Sequence, residues 1–124
     1  MSTRIRDQAI SADVQTTGST QTTLLTWTPP DGCVFRISAN VFALKSDNST
    51  AASWQLQTTM KRFSNVVSLL GSVGELLSGQ RDAGAALWLA SMDTSGATIR
   101  IRITGGLATT INWKGYINVD IFAP

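Results

Sequence analysis

The sequence predicts an all-β domain, an antiparallel β-sandwich or jelly-roll-like arrangement of about eight strands. Three observations carry this expectation. Apolar and polar residues alternate with period two through several long runs, as half-buried strands require. Clusters of Gly, Pro, Asn, Asp and Ser punctuate the chain at short intervals. No run demands a helix, and the one stretch with a helical stripe is interrupted by glycines.

The opening "MSTRIRDQAISADVQTTGST" is too polar to supply much core, so residues 1–20 are expected to form an N-terminal arm or edge strand beside a sandwich domain over 21–124. Within it "AISADVQTT" reads as a weak strand, and "TQTTLLTWT" before Pro29-Pro30 as another. "CVFRISANVFALK" then sets Cys33, Phe35, Ile37, Ala39, Val41 and Ala43 on one face, with Arg36, Ser38 and Asn40 between them. "KSDNST" is a turn by composition. "AASWQLQTTMKRF" places Ala52, Trp54, Leu56 and Met60 on a single face, so the two runs form a long antiparallel hairpin.

The segment "NVVSLLGSVGELLSG" fits a helical stripe through Val66, Leu69, Leu70, Val73, Leu76 and Leu77, which leaves strand and helix open over 65–79. Two short strands are preferred, because Gly71, Gly74 and Gly79 each weaken a helix by about 1 kcal/mol relative to Ala. "AALWLASM" around Trp88 is a weak strand and "DTSGA" a turn. "TIRIRIT" alternates Ile99, Ile101 and Ile103 with Arg100 and Arg102. After the turn "TGGLATT", the last run buries Ile111, Trp113, Gly115, Ile117, Val119 and Ile121, and its polar residues are the wet side of the strand.

Composition excludes more chemistry than it suggests. The chain has 124 residues, enough for one core, and only 15% of them are charged, against about a quarter in ordinary soluble domains. It has no histidine and one cysteine, so zinc and haem sites, Ser–His triads and an internal disulfide are not expected. Cys33, inside an apolar alternation, reads as a small core residue. Asp31, Asp47 and Asp93 sit in turn-like contexts, where an Asx turn accounts for them. A glycosidase pair needs two carboxyl groups about 5–9.5 Å apart, a pairing that sequence does not show for the eight scattered carboxylates; no catalytic residue, metal or cofactor is expected.

The ten basic residues are scattered, without the stripe that nucleic-acid binding needs. No apolar run approaches a membrane span, and no signal peptide opens the chain. Arg4 and Arg6 flank Ile5 at a spacing that would set both guanidinium groups on one face of an added strand, facing a partner's carboxylates. Of the four tryptophans, Trp54 and Trp113 lie on apolar strand faces and read as core; Trp27 and Trp88 are candidates for stacking on a sugar.

The ending "GATIRIRITGGLATTINWKGYINVDI" resembles the close of small structural proteins and fibre domains of tailed bacteriophages, where a strand and a "TG-x-A-x-T" turn lead into "I-x-W-x-x-x-I-x-V". "DGCVFRISANVFALKSDNSTAASWQLQTTMKR" is similar to the earlier hairpin of such proteins, and "RDAGAALWLASMDTSGATIRI" to the strand that follows; the likeness spans residues 31–122. The resemblance implies a virion component made in the host cytoplasm, a β-sandwich that is commonly trimeric and binds other virion proteins without cofactors. The main expectation drawn from it is a capsid decoration or cement protein bridging major capsid subunits, attached through Arg4, Ile5 and Arg6. The alternative is a tail-fibre, head-fibre or baseplate domain that recognises the host surface as a carbohydrate-binding module, with Trp27 and Trp88 stacking on the ligand.

Overall fold

In the computed structural model, residues 3–77 and 80–123 are described, with side-chain surroundings for 10–76 and 80–123. The alternating runs become strands whose inward residues are the predicted ones. They are β1 (Thr3–Thr16), β2 (Thr22–Trp27), β3 (Cys33–Lys45), β4 (Ala51–Phe63), β5 (Val66–Leu69), β6 (Gly74–Leu77), β7 (Leu89–Ser95), β8 (Thr98–Thr104) and β9 (Ile111–Ala123). These nine strands among the described residues make two antiparallel sheets facing each other across one core, so the all-β sandwich expectation holds. A six-stranded sheet runs β1-β9-β3-β4-β5, with β6 also on β4, and a three-stranded sheet runs β2-β8-β7.

The β3–β4 hairpin pairs from Cys33↔Arg62 to Leu44↔Ala51. Its tip is held as an Asx turn: the Ser49 N–H donates to Asp47 Oδ1 at 3.0 Å, and Asn48 takes φ 63°. β4 turns into β5 through Ser64 and Asn65, both at positive φ (55° and 66°), as a type I′ turn requires. Residues 65–79, ambiguous in sequence, give two short strands rather than a helix.

Two local expectations are corrected. Trp88 is not in a strand: a 3-10 turn over Ala83–Ala85 precedes it, its N–H donates to Ala85 O at 3.0 Å, and β7 begins at Leu89. Asp93 is not a turn residue either. β7 continues to Ser95, because Asp93 faces Arg100 across the ladder and holds it bidentately, and the turn shrinks to Gly96-Ala97. Gly96, at φ +57°, supplies the left-handed backbone that a two-residue hairpin loop of this kind needs at its first position.

The core is the sum of the inward faces. Trp113 stacks on Trp54 (centroids 5.6 Å, 23°) and leans on Trp88 (6.3 Å, 52°). Trp27 meets Phe35 edge to face at 5.3 Å. Gly115, inward on β9, leaves the space that the Leu24 side chain of the opposite sheet fills. Cys33 is fully buried and donates its thiol to Pro30 O at 3.0 Å.

β1 lies along β9 over its whole length, from Thr3↔Ala123 to Thr16↔Ile111, with a register shift between Ile5 and Gln8. Ile10, Ala12 and Val14 pack against the core. The side chains of Arg4, Ile5 and Arg6 lie outside the described residues; their backbone forms the first part of this outermost strand.

Candidate functional site

The sites anticipated on tryptophan are not where a ligand could reach. Trp27 is 8% exposed and Trp88 3%, each held by aromatic neighbours inside the sandwich. Trp27 falls on the inward side of β2, and Trp88, in the turn before β7, is packed against Trp113, so neither ring offers a face to solvent.

The concave surface lies instead on the outer face of the six-stranded sheet, near the β3–β4 turn, in an open groove of about 960 Å³. Two cross-strand rows make its floor, and register fixes their members. Asp13, Lys114, Phe42 and Ser53 form one row across β1, β9, β3 and β4; Gln15, Asn112, Leu44 and Ala51 form the next. A third row behind them carries Ser11, Tyr116, Asn40 and Gln55.

Residues 80–82 raise the far wall. They run along the free edge of β4: Ser53 N–H donates to Gln80 O at 2.8 Å, and Asp82 N–H to Ala51 O at 3.0 Å. The Asp82 carboxylate closes the join by accepting the Ala51 N–H at 2.9 Å. Arg81 is the anchor of this segment. Its guanidinium lies 5.4 Å over the Trp54 ring and donates to Trp88 O at 3.0 Å, while Glu75 stands 4.0 Å from its Nη2.

Within the groove three kinds of surface meet. Phe42 is 48% exposed, and its ring stacks on Tyr116 at 6.4 Å and 24°, an apolar plate fixed in orientation by its neighbour. Beside it Gln15 Nε2 donates to Asn112 Oδ1 at 2.9 Å, so each amide is positioned and retains capacity to donate or accept elsewhere. Lys114 and Asp13 stand 3.7 Å apart at the near rim, both largely exposed. Such a pair contributes little to stability. The arrangement suits a ligand with apolar ring faces and hydroxyl edges: the plate covers the face while amides and carboxylates take the hydroxyls.

Asp13 and Asp82 stand at opposite rims, four strand spacings apart, or roughly 19 Å along the sheet. The interval is well beyond the ~5–9.5 Å that a glycosidase pair needs. Among the described residues no three His, Cys, Asp or Glu side chains gather as a metal site.

Sequence reasoning passed over this groove, although a signal was present. Phe42 and Leu44 occupy the solvent side of β3, where Arg36, Ser38 and Asn40 precede them, and large apolar residues at two successive wet positions break the pattern. A separate apolar rim follows the β4–β5–β6 edge, where Phe63, Val66, Leu69, Leu70 and Leu76 are all exposed.

No protein-family model and no curated protein sequence matches the chain. Among solved structures it is similar to the tailspike protein gp49 of Acinetobacter baumannii bacteriophage Fri1, a capsular polysaccharide depolymerase, with TM-score 0.50 and 12% identity over 98% of this chain. The chain spans 19% of that tailspike's length. The A. baumannii phage AM24 tailspike gives TM-score 0.38 and 9% identity, covering 90% of this chain and 26% of its own. The tailspike of Acinetobacter phage vB_ApiP_P1 gives 0.38 and 15%, covering 95% and 22%. At 12% identity, the first of these is a likeness of fold.

Proposed function

We propose that this chain is a tail-associated virion domain of a tailed bacteriophage that holds a polysaccharide of the host surface without cleaving it. The observation that carries the reading is the groove: an oriented, half-exposed Phe42 plate between a fixed amide pair and carboxylate rims. The separation of Asp13 from Asp82 favours holding over hydrolysis. Support also comes from the fold of the Fri1 tailspike, whose described activity is on capsular polysaccharide, and of which this chain would correspond to a fifth or less. The capsid-cement reading has the sequence resemblance alone, so the tail-associated alternative takes precedence.

The proposal includes a trimer, supported by the low charged fraction, with the apolar rim as the surface that neighbouring copies would cover. Sedimentation as a monomer at micromolar concentration would remove it.

Binding is tested by retardation of the purified chain in gels cast with a panel of bacterial capsular polysaccharides. We expect retardation with at least one, lost in Phe42→Ala, with no reducing ends released. Copy number in purified particles bears on location: a few tens or fewer per particle fits a tail, and hundreds would return the protein to the shell. No retardation with any member of the panel, or retardation unchanged in Phe42→Ala, would overturn the groove as the binding site.

A further inference from the structure

The outer face of the three-stranded sheet presents a different chemistry from the groove. Arg100 and Arg102 are successive outward residues of β8, the central strand, so they stand roughly 6.6 Å apart along the chain. One acidic group serves both. Asp93 on β7 faces Arg100 directly and accepts from its Nε at 2.8 Å and its Nη2 at 2.9 Å. Arg102 receives the remainder, a contact of 3.8 Å from Nη1 to Asp93 Oδ2.

Arg102 makes no hydrogen bond to a described residue, although its side chain is only 17% exposed and its Nε is fully buried. The other part-buried arginines differ. Arg62 also has a buried Nε, but its Nη atoms donate to Pro29 O and Asn65 Oδ1; Arg81 donates to Trp88 O. A guanidinium drawn out of water without matching acceptors is costly, and native structures usually supply a partner.

We infer that Arg102 is the centre of a carboxylate-binding site on this sheet face, and that the carboxylate belongs to an acidic sugar residue. The charge balance favours a monoanion: Asp93 neutralises one of the two guanidinium groups, and a dianionic phosphate would meet its carboxylate at close range. The planar fork of Arg102 matches a carboxylate in geometry. The surroundings favour a sugar over a protein side chain. Ser91 and Thr23 flank Arg102 on the neighbouring strands, and Thr26 and Thr98 lie on the same face, so hydroxyls surround the cation. A protein interface of comparable energy would need a dry apolar centre, and beside these hydroxyls the large apolar residue that β7 and β8 expose on this face is Leu89, at the end of β7. The choice of sugar rests on the polysaccharide reading above; the carboxylate site itself does not.

The test uses the ¹⁵N-labelled full chain, following the Arg102 Nε–H signal and the backbone amides of Thr23 and Ser91. Sodium glucuronate is expected to shift them and glucose to leave them in place, with the response weakening as salt rises. Arg102→Gln should lower affinity for a uronic-acid polysaccharide about tenfold or more, and Arg102→Lys should restore only part of it, since the charge returns without the fork. Arg100 still holds Asp93 in both variants. Phe42→Ala should leave the glucuronate response intact.

If glucuronate leaves Arg102 unmoved while a neutral polysaccharide still binds through Phe42, this site is refuted and the groove stands. If Arg102 responds while Phe42→Ala changes no polysaccharide affinity, the groove fails and this site stands. A stronger response to N-acetylglutamate amide than to glucuronate would overturn the sugar assignment in favour of an acidic protein partner.

Discussion

The indole N–H of Trp113 donates to Thr16 Oγ1 at 2.8 Å, with both residues buried, and this single bond joins the centre of the core to the outermost strand β1. The donor ring packs against Trp54 and Trp88 and is almost wholly buried, so without the threonine the N–H would be left without a partner in the core. Thr16→Val, close in shape and lacking the acceptor, should therefore destabilise the fold by roughly 1–3 kcal/mol, while Thr16→Ser should retain most of the stability. Trp113→Ala, which removes the ring itself, should cost roughly 3–5 kcal/mol. Urea unfolding curves measure all three; a Thr16→Val loss near zero would mean that the bond contributes nothing.

Gly115 is a packing requirement rather than a turn. A Cβ at this position would run into Leu24 of the facing sheet. Gly115→Ala should cost roughly 1–3 kcal/mol by overpacking, and Gly115→Ala with Leu24→Ala should be less destabilised than the sum of the single changes. Strict additivity in that cycle would show that the two positions do not meet.

Burial raises the Cys33 thiol above its ordinary 9.0, with Arg62 opposing the shift. The folded state then holds the thiol proton more tightly than the unfolded chain does. This contribution to stability is complete below the unfolded value and is lost as pH rises through the folded one. Wild-type stability relative to Cys33→Ala should be level at neutral pH and decline above pH 9. Thiol labelling at pH 8 should be slow in the native protein and fast in urea. A rapid native reaction would place the sulfur at the surface.

Phe42 stands on the surface and supports little of the fold, so Phe42→Ala should change stability by no more than about 0.5 kcal/mol while abolishing polysaccharide retardation. Loss of both together would mark the ring as structural.

Sequence was sufficient wherever one face of a strand is wet and the other dry. The alternation through Cys33–Ala43, Ile99–Ile103 and Ile111–Ile121 identifies the buried residues, because period two leaves only one register that hides them. It was insufficient where the decisive fact is a neighbour distant in sequence. Asp93 reads as a turn residue until Arg100 is placed opposite it, and Trp88 reads as reachable until Trp113 is packed against it. The groove depends on four strands and an edge segment gathered from across the chain, so its rows appear only once register is known.

Because Thr3 stands opposite Ala123, the start of β1 and the end of β9 leave the sheet side by side. Tension applied through that pair would load the ladder crosswise, one backbone bond at a time, since antiparallel bonds lie perpendicular to the strands. A zipper opened from its end yields at low force. The same strands gripped at Thr16 and Ala123 would have to slide past each other, with the whole ladder resisting at once. Mechanical resilience in this fold is thus set by where it is held, and a pull on the Thr3–Ala123 pair would peel β1 away and reach the Trp113–Thr16 bond last.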